Sequence, residues 1–174
     1  MKRIAILGSP GSGKSTLSRQ LGAITGIPVV HLDNLYWRPG WVEPERKQWA
    51  ILQEEVVQGD TWIIDGNYGA TAHIRIQSAD TIIFLDPPRT VCLYRAIKRA
   101  MQYRGRTRSD MGQDCPERLD GEFLRYIWQF RLRERPQLLQ RLDAVRQEKT
   151  MIVLRTRRDV SQYLAGLGGQ SRSI

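Results

Sequence analysis

Cysteine is scarce in this chain. There are two in 174 residues, Cys92 and Cys115, with no CxxC spacing. That argues against a disulfide framework and a cysteine-built zinc site, and it fits a reducing, cytoplasmic setting. Long apolar runs are missing too. The run after the basic start, Ile4 to Leu7, ends at Gly8, so neither a secretory signal nor a membrane span is expected. No repeat and no low-complexity segment is present. Acidic residues are in deficit, 18 Asp and Glu against 27 Lys and Arg, and the net charge is +9. Such a surplus points to a polyanionic partner: nucleic acid, a membrane surface or the phosphates of a nucleotide. What is present is ordinary for one globular domain, 41% hydrophobic and 26% charged residues.

The surplus is regional. Met1 to Pro88 carries eight basic and nine acidic residues, Arg89 to Arg146 fourteen and seven, and the remainder five and two. Whatever the positive charge does, the middle of the chain does most of it.

Short β-rich runs alternate with stretches of helical period, the pattern of a parallel sheet covered by helices. Strands are predicted at Arg3–Leu7, Val29–Leu32, Trp62–Asp65, Thr81–Leu85 and Met151–Leu154. The first helix opens within Gly13 to Thr16, with Leu17, Leu21 and Ile24 on one face, and ends at Gly26. A second opens at Pro44 with Trp49, Leu52 and Val56 inward, and a third at Pro87-Pro88 with Val91, Tyr94, Ile97 and Met101 spaced for burial. Gly105 to Gly121 has almost no apolar period and reads as a long surface loop. Helical pattern resumes at Phe123, Leu124 and Ile127, and Pro136 is expected to interrupt it before Leu138. The domain is expected to span 1–165, with a flexible tail over 166–174.

One motif decides the class. Gly8-Ser9-Pro10-Gly11-Ser12-Gly13-Lys14-Ser15 fits G-x-x-x-x-G-K-[ST], follows a strand and opens a helix, the setting a phosphate-binding loop requires. Glycines let the backbone wrap phosphate, and free N–H groups at the helix start favour negative charge. Gly8 to Thr16 are therefore the expected ATP cradle, with Lys14 on the β- and γ-phosphates and the Ser15 hydroxyl on Mg²⁺. Asp33 and Asp65 close the second and third strands, where ligands of such sheets bind. One carboxylate can hold Mg²⁺ and the other accept the proton of an attacking hydroxyl; Asp65 is assigned the metal and Asp33 the base. His31, inside an apolar strand, reads as a core histidine. Arginines flank the long loop, among them Arg104 and Arg108 before it and Arg131, Arg133 and Arg135 after it. Arg104, Arg108, Arg133 and Arg135 are expected to grip the transferred phosphoryl group, the alternative being a solvated basic face.

Taken together, the P-loop, His31-Leu32-Asp33, Trp37-Arg38-Pro39-Gly40-Trp41, Asp65-Gly66-Asn67-Tyr68 and Tyr103-Arg104-Gly105-Arg106-Thr107-Arg108 resemble the bacterial DNA topology modulation proteins, adenylate-kinase-related P-loop proteins. The resemblance covers nearly the whole chain. It implies an α/β fold of the nucleoside-monophosphate-kinase type, a five-stranded parallel sheet between helices, with an arginine-rich lid over about 104–121. By analogy with that fold, Arg155 and Arg157 after the last strand would face the adenine. One departure stands out: adenylate kinases continue Asp-Gly with Phe-Pro-Arg, whose Arg grips the acceptor's phosphate, whereas Asn67-Tyr68-Gly69 follows here. Trp37, Arg38, Trp41, Asn67 and Tyr68 remain for the acceptor, as walls for a sugar, a base or another hydroxyl compound, or simply as core packing.

The expected function is transfer of the γ-phosphoryl of MgATP to a small hydroxyl or phosphate acceptor. The alternative is an ATP-binding protein that acts on DNA; a GTPase switch is disfavoured, since no Asn-Lys-x-Asp occurs.

Overall fold

The computed structural model describes residues 1–117 and 119–170. Five parallel strands form one sheet: β1 (Arg3–Gly8), β2 (Val29–His31), β3 (Trp62–Asp65), β4 (Thr81–Leu85) and β5 (Thr150–Leu154), in the order β2-β3-β1-β4-β5. β1 pairs with β3 on one side, Ile6 opposite Asp65, and with β4 on the other, Gly8 opposite Leu85. After β1 the chain winds to one side of the sheet and later to the other, so a crevice opens beyond the carboxyl end of β1.

Both faces of the sheet are covered, which is why β1 from Ile4 onward, β3 and β4 are buried and read as largely apolar runs. One face packs α1 (Lys14–Thr25) and α7 (Arg157–Gln170): Ile4, Ile6 and Ile83 meet Leu17, Leu21 and Leu164. The opposite face packs α3 (Arg46–Val56), α4 (Ala72–Ser78) and α6 (Gly121–Ala144), where Ala5, Trp62 and Phe84 meet Trp49, Ile76 and Leu138. The remaining helices are α2 (Leu32–Tyr36) and α5 (Arg89–Gln102).

Four sequence expectations change. Pro136 does not break α6. Its missing N–H frees the carbonyl of Leu132, a residue 69% exposed, so water can take the vacated bond. α5 turns a different face inward: Cys92 and Ala96 pack on Ile127, while Tyr94, Ile97 and Met101 point out. α7 continues through Gly166 to Gln170, so the expected tail is helical that far, and 171–174 lie outside the described residues. Finally, β2 stops at His31, and α2 begins at Leu32, placing Asp33 in a helical first turn.

The turn after β3 is set by a buried cation. Arg75 on α4 is fully buried, donates to Gln53 on α3, and holds the carbonyls of Gly66 at 3.3 Å and Asn67 at 2.8 Å. Burial lowers its pKa to about 10, still charged at neutral pH. Three acceptors would lose their donor without it, and each buried acceptor left unmet costs about 1–3 kcal/mol. Arg75→Leu is expected to cost roughly 3 kcal/mol of stability or more, read as a lower urea midpoint; a variant as stable as the parent would show the clamp to be dispensable.

Candidate active site

The crevice beyond β1 is a cleft of about 1090 Å³. Its floor is the loop from Gly8 to Gly13. Gly11 and Gly13 have φ of 76° and 104°, left-handed values that favour glycine. A Cβ on Gly8 would collide with the Leu85 carbonyl, and one on Gly11 with the Cys92 carbonyl. No side chain caps α1, whose N-terminal flank is Gly13. The first N–H groups of the helix are thus left for a ligand. The Ser12 hydroxyl is buried and unpartnered among the described residues. Lys14 Nζ curls back onto the carbonyls of Gly8 and Ser9, at 2.9 and 3.0 Å. Burial lowers its pKa, with Asp33 and Asp65 pulling the other way. A ring of glycines, an uncapped helix start and an orphaned hydroxyl form a cradle that fits phosphate, and Ser15 stands on the same wall.

Two carboxylates face Lys14. Asp65 is buried, and its Oδ2 accepts from Ser18 and from His31 Nδ1 at 2.8 Å. Both of these contacts fall on Oδ2, so Asp65 could offer Oδ1, together with the Ser15 hydroxyl, to a metal ion. His31, half-buried rather than sealed in the core as its strand pattern suggested, is thereby a support for Asp65. Burial pushes the histidine's pKa down, but the Asp65 hydrogen bond and charge outweigh it and leave the net shift upward. Asp33 Oδ1 accepts from the Tyr68 hydroxyl at 2.6 Å. Burial raises the Asp33 pKa, while the Tyr68 bond and the Lys14 charge oppose the rise. Tyr68 itself takes φ 33°, unusual for a bulky residue, and the Arg75 clamp is beside it. Burial, then Asp33, holds its phenol protonated well above the ordinary range. Asn67 closes the arrangement by accepting from the Gly8 N–H at 3.3 Å.

Trp37 and Trp41 wall the far end, edge to face at 5.1 Å. Behind them Tyr36 touches Trp37, Trp49 and Tyr68, so aromatic packing and site wall are one cluster. At the other end of the cleft, Arg155 and Arg157 lie at the turn between β5 and α7. Asp159 fixes that turn by accepting from the N–H groups of Arg155 and Thr156.

Most sequence-predicted residues meet in the cleft: Pro10 to Thr16, Asp33, Trp37, Asp65, Asn67, Tyr68, Arg108, Arg155 and Arg157. Several do not. Gly8 and Ser9, which begin the loop, do not line the cleft, and Ser9 abuts a small pocket behind it. Arg38 is exposed and donates to Gln48 at 3.1 Å. Arg104 and Arg133 are exposed and do not line the cleft. Arg135 is tied to both oxygens of Asp86, at 2.9 and 2.8 Å. The sequence reading passed over Arg95, Lys98 and Arg99 of α5, which line the cleft. Arg95 donates to the Ser12 carbonyl at 2.8 Å. Their i, i+3, i+4 spacing is the signal for a shared helix face, masked by the apolar residues assigned inward.

The segment between α5 and α6 brings acids as well as arginines. Arg108 is bound by Glu117 at 2.7 Å and Asp110 at 2.9 Å, and Glu117 also takes Arg99 at 2.8 Å. Asp110 is buried, accepts from the Ser15 hydroxyl, and lies 3.9 Å from Arg19. Burial pushes its pKa up, but Arg108, Ser15 and Arg19 together bring it below the ordinary value.

No family profile matches the sequence. The chain is 29% identical over 145 residues to an adenylate kinase of Thermosynechococcus vestitus, covering 66% of this chain and 73% of that protein. It is 31% identical over 110 residues to the uncharacterized protein YqaC of Bacillus subtilis, covering 60% of each. Among solved structures, shikimate kinase from Acinetobacter baumannii in complex with shikimate superposes with a TM-score of 0.58 at 15% identity, over 100% of this chain and 96% of that one. A gluconokinase from Sinorhizobium meliloti 1021 gives 0.52 at 15% identity, over 98% and 95%. The fold is therefore the α/β fold of the P-loop kinases, and the weak sequence likeness to adenylate kinase supports a relationship to that group.

Proposed function

We propose that the protein is an ATP-dependent small-molecule kinase, a member of the adenylate-kinase-related DNA topology modulation proteins, working in the cytoplasm. One observation carries the reading: Asp33, Asp65, Lys14 and Ser15 converge on one cleft whose floor is shaped for phosphate. Gly11 to Thr16 would hold the triphosphate and Arg155 and Arg157 the base. Ser15 and Asp65 would hold Mg²⁺, which when bound would supply charge neutralisation for the phosphoryl transfer. Asp33 takes the proton from the acceptor hydroxyl as its oxygen bonds the γ-phosphorus and the bond to the ADP oxygen breaks. Lys14 leaves its own loop carbonyls for the phosphates. Arg95, Arg99 and Arg108 stand where charge develops, and residues 104–121 act as the lid.

A screen of small hydroxyl compounds for ADP release tests this, with Lys14→Ala as blank. The expected result is turnover by the parent and a loss of about a thousandfold in the variant. Equal rates from both, or none from the parent, would count against the kinase.

Protonation supplies a second check. Asp33 works as a carboxylate, so kcat/KM falls as pH drops through its pKa, which burial holds above the ordinary 3.8. Tyr68→Phe removes a donor that pulls this pKa down, so the acid limb of the profile should move to higher pH. A limb that stays put or moves lower would remove Asp33 from the base role.

The DNA-acting alternative draws on Arg104, Arg106, Arg131 and Arg133, exposed and outside the cleft. Under that reading duplex binding weakens steeply between 50 and 200 mM salt, by about a hundredfold if four phosphates are contacted; no binding at 50 mM salt would dismiss it.

A further inference from the structure

Resting on the nucleotide-binding part of that reading, we infer that Asp110 is an internal stand-in for a phosphate group: it holds the corner of the cleft beside Ser15 that a nucleotide phosphate would take, so nucleotide and Asp110 compete for one set of donors. The Ser15 hydroxyl at the start of α1 bonds the Asp110 carboxylate. Arg108 Nη1 donates to its Oδ2 at 2.9 Å, and Arg19, one turn further along α1, faces its Oδ1 at 3.9 Å. All of these residues line the cleft, and Asp110 is only 4% exposed. A hydroxyl and two guanidinium groups turned on one carboxylate are the partners an oxyanion takes, and they disfavour a metal ion at that carboxylate. Asp110 is therefore placed as an anion among phosphate-binding groups.

Asp110 cannot leave alone, because its segment is seated on the stretch that carries Trp37 and Trp41. The Asn34 amide donates to the Ser109 carbonyl, the Gly40 N–H to the Asp114 carbonyl and the Cys115 thiol to the Arg38 carbonyl, each at 3.2 Å. Between them Gly112 lies so close to Trp37 that a Cβ would stand 1.8 Å from its carbonyl oxygen. A phosphate that takes the Ser15 corner thus shifts this segment against the two indoles that wall the far end of the cleft. Glu117 holds Arg108 from the other side, at 2.7 Å, and keeps its guanidinium on the cleft wall to meet phosphate once Asp110 has gone. Nucleotide binding and the shape of the aromatic wall are coupled through Asp110, and by linkage each influences the other equally.

Calorimetric titration with MgATP, and with ATP in EDTA, tests this on the parent and two variants. Asp110→Asn keeps the side chain's shape and removes its charge; Gly112→Ala leaves the carboxylate and wedges its segment off Trp37. Each variant should bind about tenfold or more tightly than the parent, with or without the metal, the scale of one charge-assisted hydrogen bond that nucleotide no longer has to break. Tryptophan emission of the parent should change as MgATP binds, and the change should vanish when Trp37 and Trp41 are both Phe. A lid residue with a structural role alone gives the opposite sign, since loosening the segment that brings Arg108 weakens nucleotide binding. A metal ligand gives weaker MgATP binding with metal-free ATP spared. Either result, unchanged affinity in Asp110→Asn, or an emission that stays constant as nucleotide binds overturns the inference and leaves the nucleotide site standing. If Asp110→Asn does not fold, Gly112→Ala decides alone. If neither the parent nor a variant shows heat with MgATP, the nucleotide reading falls and the inference with it.

Discussion

The site depends on how tightly the loop after β1 is pressed against its neighbours. Gly8 lies on the Leu85 carbonyl and Gly11 on the Cys92 carbonyl, with no room for a side chain at either. That contact locks the loop to β4 and α5, and Asn67, bonded to the Gly8 N–H, ties the turn after β3 to the same point. Lys14, Ser15, Asp33 and Asp65 converge because the elements bearing them all end at this junction. Arg75, sealed under the β3 turn, keeps the third wall in register at the cost of burying a charge.

Electrostatics follow from that geometry. A cleft floored by helix N–H groups and ringed with Arg95, Arg99, Arg108 and Arg155 would be strongly repulsive to itself. The chain offsets this from within: Glu117 bridges Arg99 and Arg108, and Asp110 takes Arg108 and the Ser15 hydroxyl. Acidic oxygens thus occupy positions where phosphate oxygens belong in the proposed reaction. Under the proposed reading, the +9 of the whole chain is in part the charge of a phosphate site seen with these internal counter-ions. The exposed arginines of α6 and of the preceding segment are what the cleft leaves unexplained.

Much of this was legible in the sequence, for identifiable reasons. Strands buried on both faces, such as Thr81–Leu85, announce themselves as short continuous runs rich in apolar and β-branched residues. The P-loop is legible because only glycine meets its φ angles and its close approaches. The five-residue α2 and the short α4 are too brief for a period to show. Pro136 misled because its helix keeps going where water can satisfy a freed carbonyl. Tyr94, Ile97 and Met101 misled because apolar spacing does not say which face meets the core. Asp110 and Glu117 were invisible, since their roles come from contacts across the chain, with Ser15 and Arg99, that local pattern does not encode.

Calorimetric titration with MgATP against the parent and Lys14→Ala is the most direct test of the central claim, that this cleft is a nucleotide site. Micromolar binding by the parent, weakened about a hundredfold or more by loss of the phosphate-facing ammonium, is the predicted result. No heat of binding in the parent, or equal affinity in both proteins, would contradict it.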